Sequence, residues 1–184
     1  EGIYFSQFFT PTEATARGVF AVLTGIADVT YDKSSSRNPR TSDHDLIFNQ
    51  LNDYKKFYFL GGSANWGNIR ALWTGNITGI NIFEEGSYAS SRVDVWGISD
   101  LDLFKEAFAI LSKETTPTLS YIQTAGFHRP YTIPENNDGF IIRQDPTDKD
   151  IKDHGFLSHA EYNSMRFQDF SLGRFWEMIK KSPL

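Results

Sequence analysis

The chain has 184 residues, 40% of them hydrophobic and 22% charged, with a formal net charge of -5 and no cysteine. That balance fits one soluble globular domain whose core draws on sixteen Phe, eight Tyr and four Trp. It excludes nucleic-acid binding through clustered Lys and Arg, a membrane helix of ~20 apolar residues, and any disulfide, thiolate metal site or cysteine nucleophile.

The chain opens at Glu1 with neither a methionine nor a basic and apolar leader, which reads as a segment of a longer protein. Residues 3–9 read as a strand or an extended lead-in. Ala16, Val19, Phe20, Leu23 and Ile26 then recur at three- and four-residue spacing, with Pro11-Thr12 ahead of them and Gly25 near the end, which predicts a helix from about Thr15 to Thr24. Residues 28–42 are a polar loop, and Asp43 is placed to cap a second amphipathic helix carrying Leu46, Ile47, Leu51 and Tyr54. An aromatic strand at 56–60 ends at Gly61-Gly62, and another helix begins over 68–73. A further helix starts at Asp100 with the stripe Leu103, Phe104, Ala107, Phe108 and Leu111. Residues 118–124 read as a buried strand ending at Gly126, residues 136–153 as a polar loop, and a long last helix begins at Phe156 or Ser158 and runs to about Lys181. Alternating strands and helices of this kind make a mainly parallel sheet covered by helices.

Three clusters carry candidate chemistry. Thr15 and Arg17 stand at the mouth of the first helix, where unpaired N–H groups and the positive end of the dipole favour a phosphate or sulfate and ease ionisation of a hydroxyl. Arg17 would clamp such an anion bidentately; the alternative is that Thr12 or Thr15 simply caps the helix. Gly61-Gly62 and the run from Asn65 to Arg70 follow a strand but lack both phosphate-loop spacings, so Trp66, Asn68 and Arg70 suit a polar head group better than a nucleotide. Otherwise Trp66 is core and Arg70 surface. His128, in Gly126-Phe127-His128-Arg129-Pro130-Tyr131, follows a strand end, where ligands of α/β sheets gather, and would donate to an anionic substrate or leaving oxygen; a histidine filling a turn is the other reading.

In this order the clusters resemble the sulfatase-like branch of the alkaline phosphatase superfamily, and within it the lipoteichoic acid synthases and phosphoglycerol transferases. Thr15-Ala16-Arg17-Gly18 with Thr24-Gly25 is similar to that branch's nucleophile segment. Gly61, Gly62, Asn65, Trp66 and Asn68 resemble its Gly-Gly segment, Trp96-Gly97-Ile98-Ser99-Asp100 its Trp-Gly-Ile-x-Asp segment, and the turn at His128 its Asn/Gly-His-x-Pro-Tyr turn. The resemblance covers nearly the whole chain. It implies an alkaline phosphatase-like αβα sandwich, incomplete at both ends, with residues 1–184 forming a single, partial sulfatase-like catalytic domain. It further implies that Thr15 ligates a divalent cation (Mn²⁺, Mg²⁺, Ca²⁺ or Zn²⁺) and forms a covalent ester with phosphorus or sulfur, that His128 and Arg17 bind the anion, and that Trp66, Asn68 and Arg70 contact a small anionic or lipid head group. The site of action would be the extracytoplasmic face of a bacterial membrane, reached through segments of a parent protein outside this chain.

One departure is plain: the family's acidic metal ligand before the nucleophile and its Asp-His pair after the last helix have no counterpart, so the remaining ligands are expected outside the chain and the segment inactive alone. Asp43-His44 and Asp153-His154 have the right letters in loop or cap positions. Sulfate ester hydrolysis and a non-catalytic anion-binding module are the alternatives. The proline of the common sulfatase segment Cys/Ser-x-Pro-x-Arg is missing at Thr15-Ala16-Arg17, which favours phosphorus.

Overall fold

The computed structural model describes residues 4–29, 33–38, 44–182 and 184. Its sheet grows from Lys55–Leu60 (β1), buried throughout after Lys55 as parallel strands usually are. Thr118–Gln123 (β3) runs parallel to β1, from Lys55 opposite Thr118 to Leu60 opposite Gln123. Ile80–Phe83 (β2) lies on the other side of β1, giving the order β2-β1-β3. With five α-helices among the described residues, the class is α/β with a mainly parallel sheet, as the sequence implies.

The described chain divides into two compact units. The first comprises Glu1–Tyr54 and Ala64–Ile80. Its first helix, Thr15–Thr24 (α1), has the predicted bounds and buries Ala16, Val19, Phe20 and Leu23; it ends because Gly25 turns left-handed at φ 72° and donates its N–H to the Ala21 carbonyl. Ile69–Asn76 (α2) buries Ile69, Leu72 and Trp73, and Trp73 takes the Phe48 ring edge-on at 5.0 Å.

In this unit one open reading is decided against a strand, and one expectation fails. Residues 4–10 form no strand and are exposed, with Phe8 and Phe9 turned to solvent; Ile3 lies outside the described residues. The expected helix after Asp43, itself outside the described residues, is only a 3₁₀ turn at Ile47–Gln50. Burial explains the difference: Leu46 and Phe48 are both buried at i, i+2 while Ile47 is exposed, so tertiary packing selects an alternating segment over the helical stripe.

The second unit comprises Lys55–Ser63 and Asn81–Leu184. Asp100–Leu111 (α3) starts where predicted, with Ser99 as its cap accepting the Asp102 N–H. Its buried Leu103, Ala107 and Leu111 join Phe57, Phe59 and Ile98 in one core. His159–Lys180 (α5), capped by Ser158, packs on α3 through Phe104 and Phe175, whose rings stack 5.0 Å apart. Within the predicted polar loop stands a short helix, Asp148–Asp153 (α4), closed by a capping box between Thr147 and Asp150. β2 was not expected either, since four residues give too short an alternation to register.

The glycine pair after β1 proves to be a packing device. The Gly61 carbonyl accepts the Ile98 N–H, and the Gly62 carbonyl accepts the Glu85 N–H. A Cβ on Gly62 would lie 2.6 Å from the Trp96 carbonyl oxygen, and one on Gly97, whose φ is 105°, 1.8 Å from that of Gly61. Two backbones meet there with no room for side chains. Gly97→Ala is accordingly expected to destabilise by about 3 kcal/mol or more, whereas Gly173→Ala, in open space on α5, should stabilise by about 0.5–1 kcal/mol. Urea unfolding of the two variants checks both signs.

Candidate functional site

In the first unit the candidate nucleophile sits at an uncapped helix end. The residue before α1 is Ala14, held at φ 73° and ψ 136°, whose side chain makes no cap hydrogen bond. Neither Thr12 nor Thr15 is therefore the cap; Thr15 is the first helical residue and is exposed. A positive φ at alanine costs on the order of 1–3 kcal/mol and is the kind of strain that collects at functional sites. Beside this end lies a cleft of about 250 Å³ lined by Glu13, Ala14, Ala16, Arg17, Ser34, Arg37 and Trp66. Arg17 and Arg37 thus outnumber Glu13 in the lining beside the positive end of a helix dipole, a balance that favours an anion.

The wall carrying Ser34 and Arg37 is a 3₁₀ turn at Ser35–Arg37 fixed from below. Asp28, only 1% exposed, accepts the Ser35 N–H at 2.6 Å and its hydroxyl at 2.9 Å. The Ser36 hydroxyl donates to the Gly67 carbonyl at 2.6 Å, and the Asn68 amide donates to the Ser36 carbonyl at 2.7 Å. Gly67, at φ 62°, packs so closely on α1 that a Cβ would lie 3.2 Å from that of Ala16. The segments bearing Arg37 and Trp66 are so tied to the first turn of α1.

Of the residues singled out in the sequence, Arg17 and Trp66 come together at the cleft, Trp66 with 43% of its surface exposed rather than in the core. Asn68 instead binds the turn through its amide, and Arg70 donates from Nε to Asn65 Oδ1 at 2.9 Å; neither lines the cleft. Arg37 and Ser34 went unread, because an arginine in a polar serine-rich loop carries no periodic or spacing signal.

His128 belongs to the second unit, on the turn after β3. That turn is fixed by Asp100, 3% exposed, whose carboxylate accepts the N–H groups of Ala125 at 2.9 Å and of Gly126 at 3.0 and 3.1 Å. From α5, Ser164 donates to the Gly126 carbonyl and Gln168 to the Thr124 hydroxyl. Burial pushes the Asp100 carboxyl above its ordinary value, with the backbone donors pulling the other way. The exposed His128 ring lies against Trp96, centroids 3.9 Å apart, and its Nδ1 stands 3.1 Å from the Arg129 carbonyl oxygen.

With that geometry in view, the Sulfatase family model matches residues 1–184. The chain belongs to the Sulfatase family. Two solved structures resemble this Sulfatase member. A protein in the alkaline phosphatase superfamily from Vibrio parahaemolyticus superposes with a TM-score of 0.69 at 28% identity, over 90% of this chain and 38% of that one. The lipoteichoic acid synthase LtaP from Listeria monocytogenes superposes with a TM-score of 0.75 at 18% identity, over 96% and 43% respectively. The chain thus spans well under half the length of either. Members of the superfamily are hydrolases and transferases of sulfate or phosphate esters that generally use divalent metal ions. Among the described residues no three His, Asp or Glu side chains gather as a cation site, so these residues do not by themselves form a metal cage.

Two outcomes follow from the clamps. Asp28→Ala should destabilise by about 2–3 kcal/mol, since a charged acceptor is lost, and should weaken binding of inorganic phosphate although Asp28 lines no part of the cleft; calorimetric titration reads the second effect. For Asp100 the folded value lies above the unfolded one, so the native state holds the proton longer and stability falls as pH rises upward from the ordinary carboxylate range near about 4. Asp100→Asn should remove that slope, which urea midpoints measured across pH will show.

Proposed function

We propose that this chain carries the nucleophile and part of the substrate-binding surface of an enzyme that transfers or hydrolyses phosphodiesters, phosphoglycerol groups foremost, through a threonyl intermediate. The observation that carries the reading is the uncapped end of α1 beside a cleft bearing Arg17 and Arg37. Thr15 Oγ1 attacks phosphorus, the bond from phosphorus to the leaving alcohol breaks, and a threonyl phosphodiester forms. An acceptor alcohol or water then attacks phosphorus and frees Thr15, its proton balancing the one taken up by the leaving alcohol. Arg17 and Arg37 neutralise the phosphoryl oxygens as charge develops. Trp66 offers a face to a head group, with Asn68 and Arg70 holding the turn that carries it; taken by itself, the turn of the second unit offers a His128 ring nitrogen to a phosphate or sulfate oxygen.

The helix field does not suffice to ionise Thr15. It supplies at most ~2 kcal/mol, roughly 1.5 pKa units, while an unassisted hydroxyl must fall by several units to react near neutrality. A further activator is required, and we place it, with the ligands of any cation, in segments of the parent protein outside residues 1–184. The same parent is proposed to act at the extracytoplasmic face of a bacterial membrane on a small anionic or lipid head-group substrate. No helix among the described residues is long and apolar enough to cross a membrane.

Sulfate ester hydrolysis is the second reading, favoured by the family match itself. The test is turnover of a phosphodiester and of a sulfate monoester by the parent protein, with and without Mn²⁺, beside its Thr15→Ala variant. Phosphodiester cleavage that depends on Thr15 and Mn²⁺ is expected. Cleavage of the sulfate ester alone moves the protein to sulfur chemistry, and full activity in Thr15→Ala removes the nucleophile assignment. His128→Ala should raise KM about tenfold or more while the protein remains folded.

A further inference from the structure

The Arg129 carbonyl oxygen sits between two rings. It receives the Trp96 indole N–H at 2.6 Å and lies 3.1 Å from His128 Nδ1, while the rings of Trp96 and His128 lie against each other at 46°. A carbonyl oxygen only accepts, so this contact is a hydrogen bond only when Nδ1 carries the proton. The turn gives the ring little freedom otherwise: the Tyr131 N–H bonds the His128 carbonyl at 2.7 Å, Tyr131 is held at φ 63°, and its hydroxyl donates to Glu161.

Trp96 is itself fixed from two sides. Its backbone N–H donates to Asp94 Oδ1 at 2.7 Å, and its backbone carbonyl faces the bare Cα of Gly62. The Trp96 backbone is therefore placed by the end of β1, and from there its indole reaches the Arg129 carbonyl.

We infer that Trp96 is a positioning residue for His128: it holds the ring with Nδ1 protonated on the Arg129 carbonyl and so turns Nε2, on the opposite edge of the exposed imidazole, toward substrate. The inference rests on the functional reading of His128 given above. It fixes the chemistry of the contact. The neutral ring offers Nε2 as an acceptor, suited to a hydroxyl, and only the doubly protonated ring donates from Nε2 to an anionic oxygen.

The test uses the parent protein labelled with ¹⁵N-histidine, His128 being assigned by the loss of its resonances in His128→Ala. In the neutral ring Nδ1 should carry the proton and Nε2 should not. Trp96→Ala should abolish that preference and lower kcat/KM for bis(para-nitrophenyl) phosphate by about 10–100-fold, with thermal unfolding unchanged. Trp96→Phe, which keeps a ring beside the imidazole and loses only the donor, should fall between the two. Protonation of neutral His128 at Nε2 in the unsubstituted protein overturns the inference and leaves the functional reading intact, as does a Trp96→Ala protein with unaltered tautomer and turnover. Undiminished turnover in His128→Ala overturns the functional reading instead, and with it the claim that Nε2 faces substrate.

Discussion

The close approach of two backbones, Gly61-Gly62 and Trp96-Gly97-Ile98, is the constraint on which the second unit depends. Where the Gly61 carbonyl meets the Ile98 N–H, the exit of β1 is joined to the start of α3. Ser99 and Asp100 follow at once, one capping the helix and the other reaching the N–H groups of Ala125 and Gly126. A Cβ on Gly126 would lie 2.6 Å from Asp100 Oδ2, so this second contact also admits glycine alone. Gly61, Gly62, Gly97 and Gly126 therefore admit the close approaches that carry the position of β1 to the turn of His128, the last link being the Asp100 carboxylate. Burial of the Asp100 carboxylate is tolerable because the turn's own amides solvate it.

The first unit solves a different problem, that of holding an irregular polar segment beside a helix end. Asp28, Ser36, Gly67 and Asn68 do it with hydrogen bonds, not apolar area. Such a wall is polar on both sides, inward to its supports and outward to the cleft, so that Arg37 projects from a rigid base rather than from a free loop. Trp66 supplies the one large apolar surface at the cleft, and the glycine after it allows that ring to come next to α1.

How much of this was legible depended on whether a pattern was periodic. The stripes of α1 and α3 gave their starts because apolar burial and helical spacing agreed, and Thr118–Gln123 announced itself as a run of strand formers. The segment after His44 misled because its apolar residues are compatible with both periods, and Leu46 with Phe48 chose the shorter one. Thr15 stands at the helix end without lining the cleft; of the residues that line it, Arg17 and Trp66 could be picked out by type and place. Arg37 could not, since nothing in a sequence says that a loop arginine will be pinned by a buried aspartate seven positions before its neighbour Ser35. The Gly-Gly pair was read as a ligand loop because glycine serves close approach to a backbone and to a phosphate equally well.

The walls of the cleft come from three stretches of chain, around residues 13–17, 34–37 and 66. An anion touching all three acts as a reversible cross-link, and whatever binds the folded unit but not the unfolded chain raises its stability by mass action, by about 2.7 kcal/mol at a hundredfold excess over Kd. On the proposed reading, the melting behaviour of the unit follows the phosphate and sulfate content of the medium. A buffer anion in the cleft would also compete with substrate, so conditions chosen to keep the protein folded would be those that mask its turnover.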